Sequence, residues 1–230
     1  MLEELKEKVL NANQSLVKYD LVTLTWGNVS GIDREQGLIV IKPSGVEYGK
    51  LKIDNMVVVN MNGQVVEGNL RPSSDTSTHI EIYNAFSGIG GITHSHSEYA
   101  TIFAQALMEI PCFGTTHADN FYGSIPLTRF LTEEEVTSNY ELNTGKIIVE
   151  RFKDLDPISI PAVLVAGHAP FTWGKDPEDS VKNNLVLERV AKMALHSLSL
   201  KPDLKSLPDY ILTKHHLRKH GENAYYGQKA

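Results

Sequence analysis

Gly91-Ile92-Thr93-His94-Ser95-His96-Ser97-Glu98 is the stretch whose reading decides the fold. Apolar and polar residues here run into a Ser-Glu pair suited to opening a helix, so a strand passes directly into a helix. Side chains along a strand alternate faces, which points His94 and His96 one way and Ser95 the other. Two neutral imidazoles on one strand form a stiff half-site for zinc or its neighbours. The plainer alternative is a pair of hydrogen-bonded polar residues at a strand end. Asp75 in Ser73-Ser74-Asp75-Thr76 and His168 in Gly167-His168-Ala169-Pro170 favour the metal.

Upstream, Leu2, Leu5, Val9, Ala12, Leu16 and Val17 recur at helical spacing and predict an amphipathic first helix. Leu21 to Trp26 reads as a strand broken at Gly27-Asn28, and Leu38 to Ile41 as another, closed by a Lys42-Pro43-Ser44-Gly45 turn. Met56 to Val59 and Gln64 to Val66 flank Asn62-Gly63, a strong hairpin signal. Ser74-Asp75 offers caps for a helix through Thr78 to Tyr83. Downstream, Thr132 to Glu135 is a capping box for a helix that continues, with a break, toward Phe152. Pro161 to Val165 is a buried strand type ending at Gly167-His168. Helices follow from about Pro177 to Leu198 and from about Leu207 to Lys219. Hairpin-linked strands flanked by helices predict one α/β domain over 1–230, a three-layer α/β/α unit on a mixed, mostly antiparallel sheet.

Composition sets limits on function. With 230 residues, 41% of them hydrophobic and 22% charged, the chain has enough material for one large core. A net charge of −6 argues against nucleic acid, whose phosphates demand a basic face. It leaves room for a small phosphorylated substrate, which local donors hold. A single cysteine, Cys112, fits a reducing compartment. The acidic, amphipathic start is unlike a signal peptide, and no apolar run approaches the roughly 20 residues that span a bilayer. A cytoplasmic protein with no membrane partner is the expectation.

Asp75, His94, His96 and His168 would make a tetrahedral set of borderline hardness, for which zinc is the first choice and manganese or cobalt substitutes. His79, one helical turn after Asp75, and His117 in Thr115-Thr116-His117-Ala118-Asp119 compete as ligands, and spacing alone does not dismiss them.

Taken together, seven blocks resemble the sugar-phosphate epimerases of the class II aldolase/adducin family. They are 25–30 (Thr-Trp-Gly-Asn-Val-Ser), 42–46 (Lys-Pro-Ser-Gly-Val), 72–76, His94-Ser95-His96, 115–123, 167–175 and 217–227. The blocks fall in family order and span the chain almost end to end. The resemblance implies one zinc ion per subunit on Asp75, His94, His96 and His168. It implies a phosphosugar gripped by Gly27, Asn28, Ser44, Gly45, Ser73 and Ser74, with Lys42 close by, and further substrate contacts at Thr116 and His215. Asp119 and Tyr226 would be the proton donor and acceptor, Tyr226 coming from a neighbouring subunit of a homotetramer with active sites at its interfaces.

The activity so implied is inversion of C4 in L-ribulose 5-phosphate, giving D-xylulose 5-phosphate in pentose catabolism, with the L-arabinose route as one setting. The C4 hydrogen is not adjacent to the C2 carbonyl and is not acidic, so simple deprotonation cannot invert that centre. Oxidation by a nicotinamide would need a dinucleotide fingerprint, and the one Gly-rich run, Gly88-Ile89-Gly90-Gly91, precedes a strand instead of opening a helix. Cleavage and re-formation of the C3–C4 bond remains, a retro-aldol route needing an electrophile for the developing charge and two proton-handling groups. The main alternative is an aldolase on a related sugar phosphate such as L-fuculose 1-phosphate. By resemblance those enzymes carry Glu where this chain has Asp75. A non-catalytic, adducin-like interaction module is a third reading, disfavoured by the full set of ligand and acid/base residues.

Overall fold

The short runs rich in valine and isoleucine pair into one sheet, and the computed structural model describes residues 2–226 of it and of its surrounding helices. Its strands are β1 (Asn28–Asp33), β2 (Leu38–Ile41), β3 (Val57–Asn60), β4 (Val65–Glu67), β5 (Gly91–His94), β6 (Ala162–Leu164) and β7 (Pro170–Gly174). Their order across the sheet is β4-β3-β2-β1-β5-β7-β6. Every strand pairing among the described residues is antiparallel, in keeping with the mostly antiparallel sheet expected. The parallel element shrinks to an isolated bridge between Leu127 and Leu164.

Among the described residues, seven α-helices surround the sheet: α1 (Glu3–Lys18), α2 (Thr76–Ala85), α3 (Glu98–Gln105), α4 (Thr115–Ala118), α5 (Glu133–Arg151), α6 (Pro177–Leu200) and α7 (Asp209–His220). Strand alternation sorts the core into layers. Ile39, Ile41, Val57 and Val59 pack with Ile80, Ile82 and Tyr83 of α2. Val40 and Val58 face the other way and join Val9 and Leu16 of α1. Helix α5 backs α2, while α6 lies beside α1 across β5 and β7. The three-layer expectation therefore holds, and no helix among the described residues is long and apolar enough to cross a membrane.

Four local expectations change. Leu21 to Trp26 is not a strand: Leu24 is left-handed at φ 55°, and the first strand begins only at Asn28. Leu21, with Val22 packed partly buried beside it, anchors that segment in the core, while Leu24 points outward. Strand β7 was hidden because Pro170 and Gly174 read as breakers around its Phe171-Thr172-Trp173 alternation. The short helix α4 has no apolar periodicity to betray it. Finally, β5 stops at His94, so His96 lies just beyond the strand. The Thr132–Glu135 capping box forms as read, with Glu135 N–H donating to Thr132 Oγ1 at 3.2 Å and Thr132 N–H donating to Glu135 Oε2 at 2.8 Å.

Candidate active site

The site begins where β5 meets β1. Asn28 sits directly opposite His94 in the antiparallel register, so both project from the face that α2 covers. On the other face, Thr93 Oγ1 meets Ser180 Oγ at 2.7 Å, and Ser95 Oγ donates to Asn184 Oδ1 at 2.9 Å. The alternation thus carries past the last ladder pair and returns His96 to the side of His94.

His168 arrives from the β6–β7 connection. Gly167 supplies the positive φ of 69° that the turn requires, and a Cβ there would lie 2.8 Å from the Phe130 ring. The centroids of the His94, His96 and His168 rings are mutually 5.0 Å apart. One nitrogen from each falls within 4.8 Å of the other two. His94 Nδ1–H donates to the Pro170 carbonyl at 2.9 Å, and the ring stacks on Phe171 at 4.1 Å. That bond fixes the tautomer with Nε2 left as the free ligand atom. His168 Nδ1 has the Tyr140 hydroxyl at 3.4 Å.

Burial lowers the pKa of all three rings: His168 falls to about 4, with His94 adding to the effect. Neutral imidazole is the form that binds a metal. Convergent nitrogens, a fixed tautomer and neutral rings therefore fit a divalent ion. His79 and His117 lie outside this group. His79 Nδ1 meets Ser30 Oγ at 2.7 Å in the core, and His117 Nε2 donates to the Gly123 carbonyl at 2.8 Å.

Asp75 occupies the residue before α2 yet caps nothing with its side chain. Its Oδ2 instead accepts Asn28 Nδ2–H at 2.6 Å. Burial would raise its pKa, but the facing His94 and His79 rings and the Asn28 amide outweigh that and hold it below the usual carboxylate value. Asp75 lines the same cavity as the three imidazoles, although its oxygens are not part of their close nitrogen cluster.

That cavity is about 530 Å³ and is bordered by Gly27, Asn28, Lys42, Ser44, Gly45, Ser73 and Ser74 as well. Gly27 is required there: it has φ 76°, and a Cβ would sit 2.8 Å from the His94 carbonyl oxygen. The Ser44 and Ser73 N–H groups already donate to Arg71 and Lys42 carbonyls, so their hydroxyls are the donors left for an anion. Lys42 is buried with its Nζ 3.4 Å from two carbonyls, Thr25 and Pro43, and 4.9 Å from the Tyr48 ring centroid. Burial lowers its pKa, opposed by the Asp75 charge.

Two wall residues lie outside every sequence block singled out above, Tyr140 and Glu141. They reach the cavity because α5 breaks at Asn139, where φ is −157° and ψ is 86°. The predicted helix break was the visible signal; which side chains it would redirect was not.

Asp119, His215 and Tyr226 gather elsewhere, and neither they nor Thr116 of α4 line this cavity. Asp119 takes a two-pronged contact from Arg218, at 3.1 and 2.7 Å, and lies 3.0 Å from His215 Nδ1. The hydrogen bonds from Arg218 and His215 outweigh burial and keep its carboxyl below the usual range. Arg218 also stacks over the Tyr226 ring at 4.6 Å. One chain therefore carries two half-assemblies, a three-histidine cavity and a carboxylate–phenol cluster.

An antiparallel sheet between helical layers, with an imidazole triad able to hold a metal at the edge of a hydroxyl-lined cavity, is an arrangement of the class II aldolase type. The family model described as Class II Aldolase and Adducin N-terminal domain matches residues 7–195, and the chain belongs to that family. It is 56% identical over 228 residues to an L-ribulose-5-phosphate 4-epimerase UlaF of Salmonella paratyphi C (strain RKS4594), covering 99% of this chain and 100% of the relative. A Salmonella paratyphi A (strain ATCC 9150 / SARB42) relative of the same name is 55% identical over the same span. Among solved structures, an L-fuculose 1-phosphate aldolase superposes with a TM-score of 0.77 at 25% identity, covering 92% of this chain and 94% of that one.

Proposed function

We propose that this chain is an L-ribulose-5-phosphate 4-epimerase that yields D-xylulose 5-phosphate by breaking and re-forming the C3–C4 bond. The observation that carries the reading is full-length 56% identity to relatives of that name, joined to three converging imidazoles on a cavity of phosphosugar size. His94, His96 and His168, with Asp75, would hold one zinc ion, which supplies Lewis acidity toward the charge that cleavage leaves on the C2 and C3 oxygens. Asp75 in place of Glu favours the epimerase over an aldolase for L-fuculose 1-phosphate.

The chain's own groups do the rest. Ser44, Ser73 and Ser74 offer hydroxyls to the phosphate, and Gly27 and Gly45 let it approach the backbone. Lys42, buried beside weak carbonyl contacts and only the more distant Asp75 charge, gains in the phosphate a close counter-charge. After cleavage the aldehyde must turn to present its other face, and its oxygen needs a proton partner on each side. Asp119, kept ionised by Arg218, accepts a proton, and the Tyr226 phenol donates one. Because these two do not line the cavity of their own chain, they would be supplied by a second copy, which accords with a homotetramer. Thr116 and His215 would accompany them. The buried free thiol of Cys112 accords with work in the cytoplasm.

The test is an assay on metal-stripped and zinc-reconstituted protein. D-xylulose 5-phosphate should form from L-ribulose 5-phosphate only after reconstitution. Accumulating free aldehyde without epimer would indicate the aldolase, and protein that neither binds zinc nor turns over would indicate an interaction module.

A further inference from the structure

His79 is fully buried, yet its Nε2 has no hydrogen-bond partner. A buried ring nitrogen left unmet is costly, so this one calls for a reason. The other ring nitrogen is well held. His79 Nδ1 lies 2.7 Å from Ser30 Oγ, which lies 2.9 Å from Tyr83 Oη, and all three residues are inaccessible to solvent.

Counting hydrogens gives this chain its direction. If His79 Nδ1–H donated to Ser30, Ser30 would donate to Tyr83, and the buried phenol hydrogen would have nowhere to go. In the opposite sense Tyr83 donates to Ser30, and Ser30 donates to His79 Nδ1. Both hydroxyl hydrogens are then used, and the neutral ring must carry its own proton on Nε2. The orphan is a donor.

A complementary orphan sits in the same corner. Asn28 Oδ1, a buried acceptor, also has no partner. Asn28 and Ser30 are two apart on β1 and share a face, while Asp75 and His79 are one helical turn apart beside α2. The two elements run side by side. Asn28 Nδ2–H donates to Asp75 Oδ2 at 2.6 Å, and Ser30 meets His79 one step further along. On its other side the His79 ring meets Phe171 edge-on at 6.0 Å, and Phe171 is the ring on which His94 stacks.

The geometry points to His79 as a positioning residue: its Nε2–H, fixed by Tyr83 and Ser30, reaches Asn28 Oδ1 across one buried water, and through Asn28 it orients the Asp75 carboxylate toward the metal site. The chain then reads Tyr83, Ser30, His79, Asn28, Asp75, with each member donating to the next. Outer hydrogen bonds of this kind typically change metal affinity by about 10- to 100-fold when removed. The inference rests on the metal reading above and concerns a residue that touches neither metal nor substrate.

The experiment uses the full chain and has three parts. Long-range nitrogen–proton correlation spectra of histidine-labelled, metal-free protein should show His79 as the Nε2–H tautomer. An Nδ1–H tautomer overturns the inference whatever the variants do. Next, His79→Gln keeps an amide N–H at the Nε2 position, whereas His79→Asn places it at the Nδ1 position. Zinc affinity, measured by chelator competition, should stay within about threefold for H79Q and fall at least about tenfold for H79N. Equal losses in both would reduce His79 to a packing role. Finally, Tyr83→Phe keeps the ring and removes the hydrogen that sets the direction, and should weaken zinc binding. Phe86→Leu, a core change outside the chain, serves as the control for general destabilisation and should not weaken it. Wild-type protein that binds no zinc would defeat the metal reading itself, a result separate from any pattern among the variants.

Discussion

At the residue scale, Asp75 shows how position and chemistry separate. A residue of its type before a helix ordinarily accepts an N–H of the first turn. Here the carboxylate turns away to Asn28 and the imidazoles, leaving the helix start without a side-chain cap. Asp75→Asn keeps the shape and removes the charge. Turnover of the zinc-loaded enzyme is expected to fall at least about tenfold, with zinc still bound by three imidazoles, as read by parallel metal analysis and epimerase assay. Unchanged turnover would take Asp75 out of the site. His94→Asn should behave differently. Removing one of three converging nitrogens should abolish metal retention on dialysis and activity together, and full zinc occupancy would contradict its ligand role. Tyr226→Phe separates the two halves of the mechanism: kcat should drop by about 10²-fold or more while metal content stays intact.

At the element scale, the sequence was most legible where period and cap agreed. Helices α1 and α6 and the Leu38–Ile41 strand follow from spacing alone, and the Thr132–Glu135 box marks the start of α5. It was least legible where backbone geometry, not side-chain pattern, sets the path. The loop before Asn28 follows from a left-handed Leu24 and the close approach of Gly27 to the His94 carbonyl, neither of which leaves a period. The three converging histidines were readable because each sits in a short polar break within apolar sequence. Tyr140 and Glu141 were not, since the kink that swings them inward reads only as an interruption. The hidden helix α4 offers a test by pH. Its His117 is held neutral by burial, with the ring pKa near 4 against an ordinary 6.5. Between those values the unfolded chain binds a proton that the folded chain refuses. Stability is therefore full above about pH 6.5 and is lost as pH falls toward 4, by about 3 kcal/mol for this ring. His117→Gln keeps a donor for the Gly123 carbonyl and cannot titrate. Denaturant unfolding of metal-free protein at pH 7 and pH 4.5 should show a smaller acid loss for the variant, and an equal loss would mean that His117 is not held neutral.

At the scale of the whole molecule, the chain keeps its two chemical clusters apart. The imidazole triad and the hydroxyl-lined wall belong to the sheet and α2, while Asp119, Arg218 and Tyr226 belong to the packing of α4 against α7. A hydroxyl-lined cavity that lacks its own acid and base makes sense if each site takes them from an adjacent copy. Closed symmetry then gives every chain both roles, donor of one half-site and recipient of the other. This has a consequence that single variants cannot imitate. His94→Asn spoils only the metal half, and Tyr226→Phe only the proton-transfer half. Co-expressed in equal amounts as mixed oligomers, the two should place an intact metal half against an intact partner half at about one site in four, restoring about a quarter of wild-type activity. Each variant alone stays near its own residual rate. Activity of the mixture no greater than the average of the two separate variants, with mixed oligomers verified by differential tagging, would mean that each chain works with its own Tyr226 and that the paired-copy site is wrong.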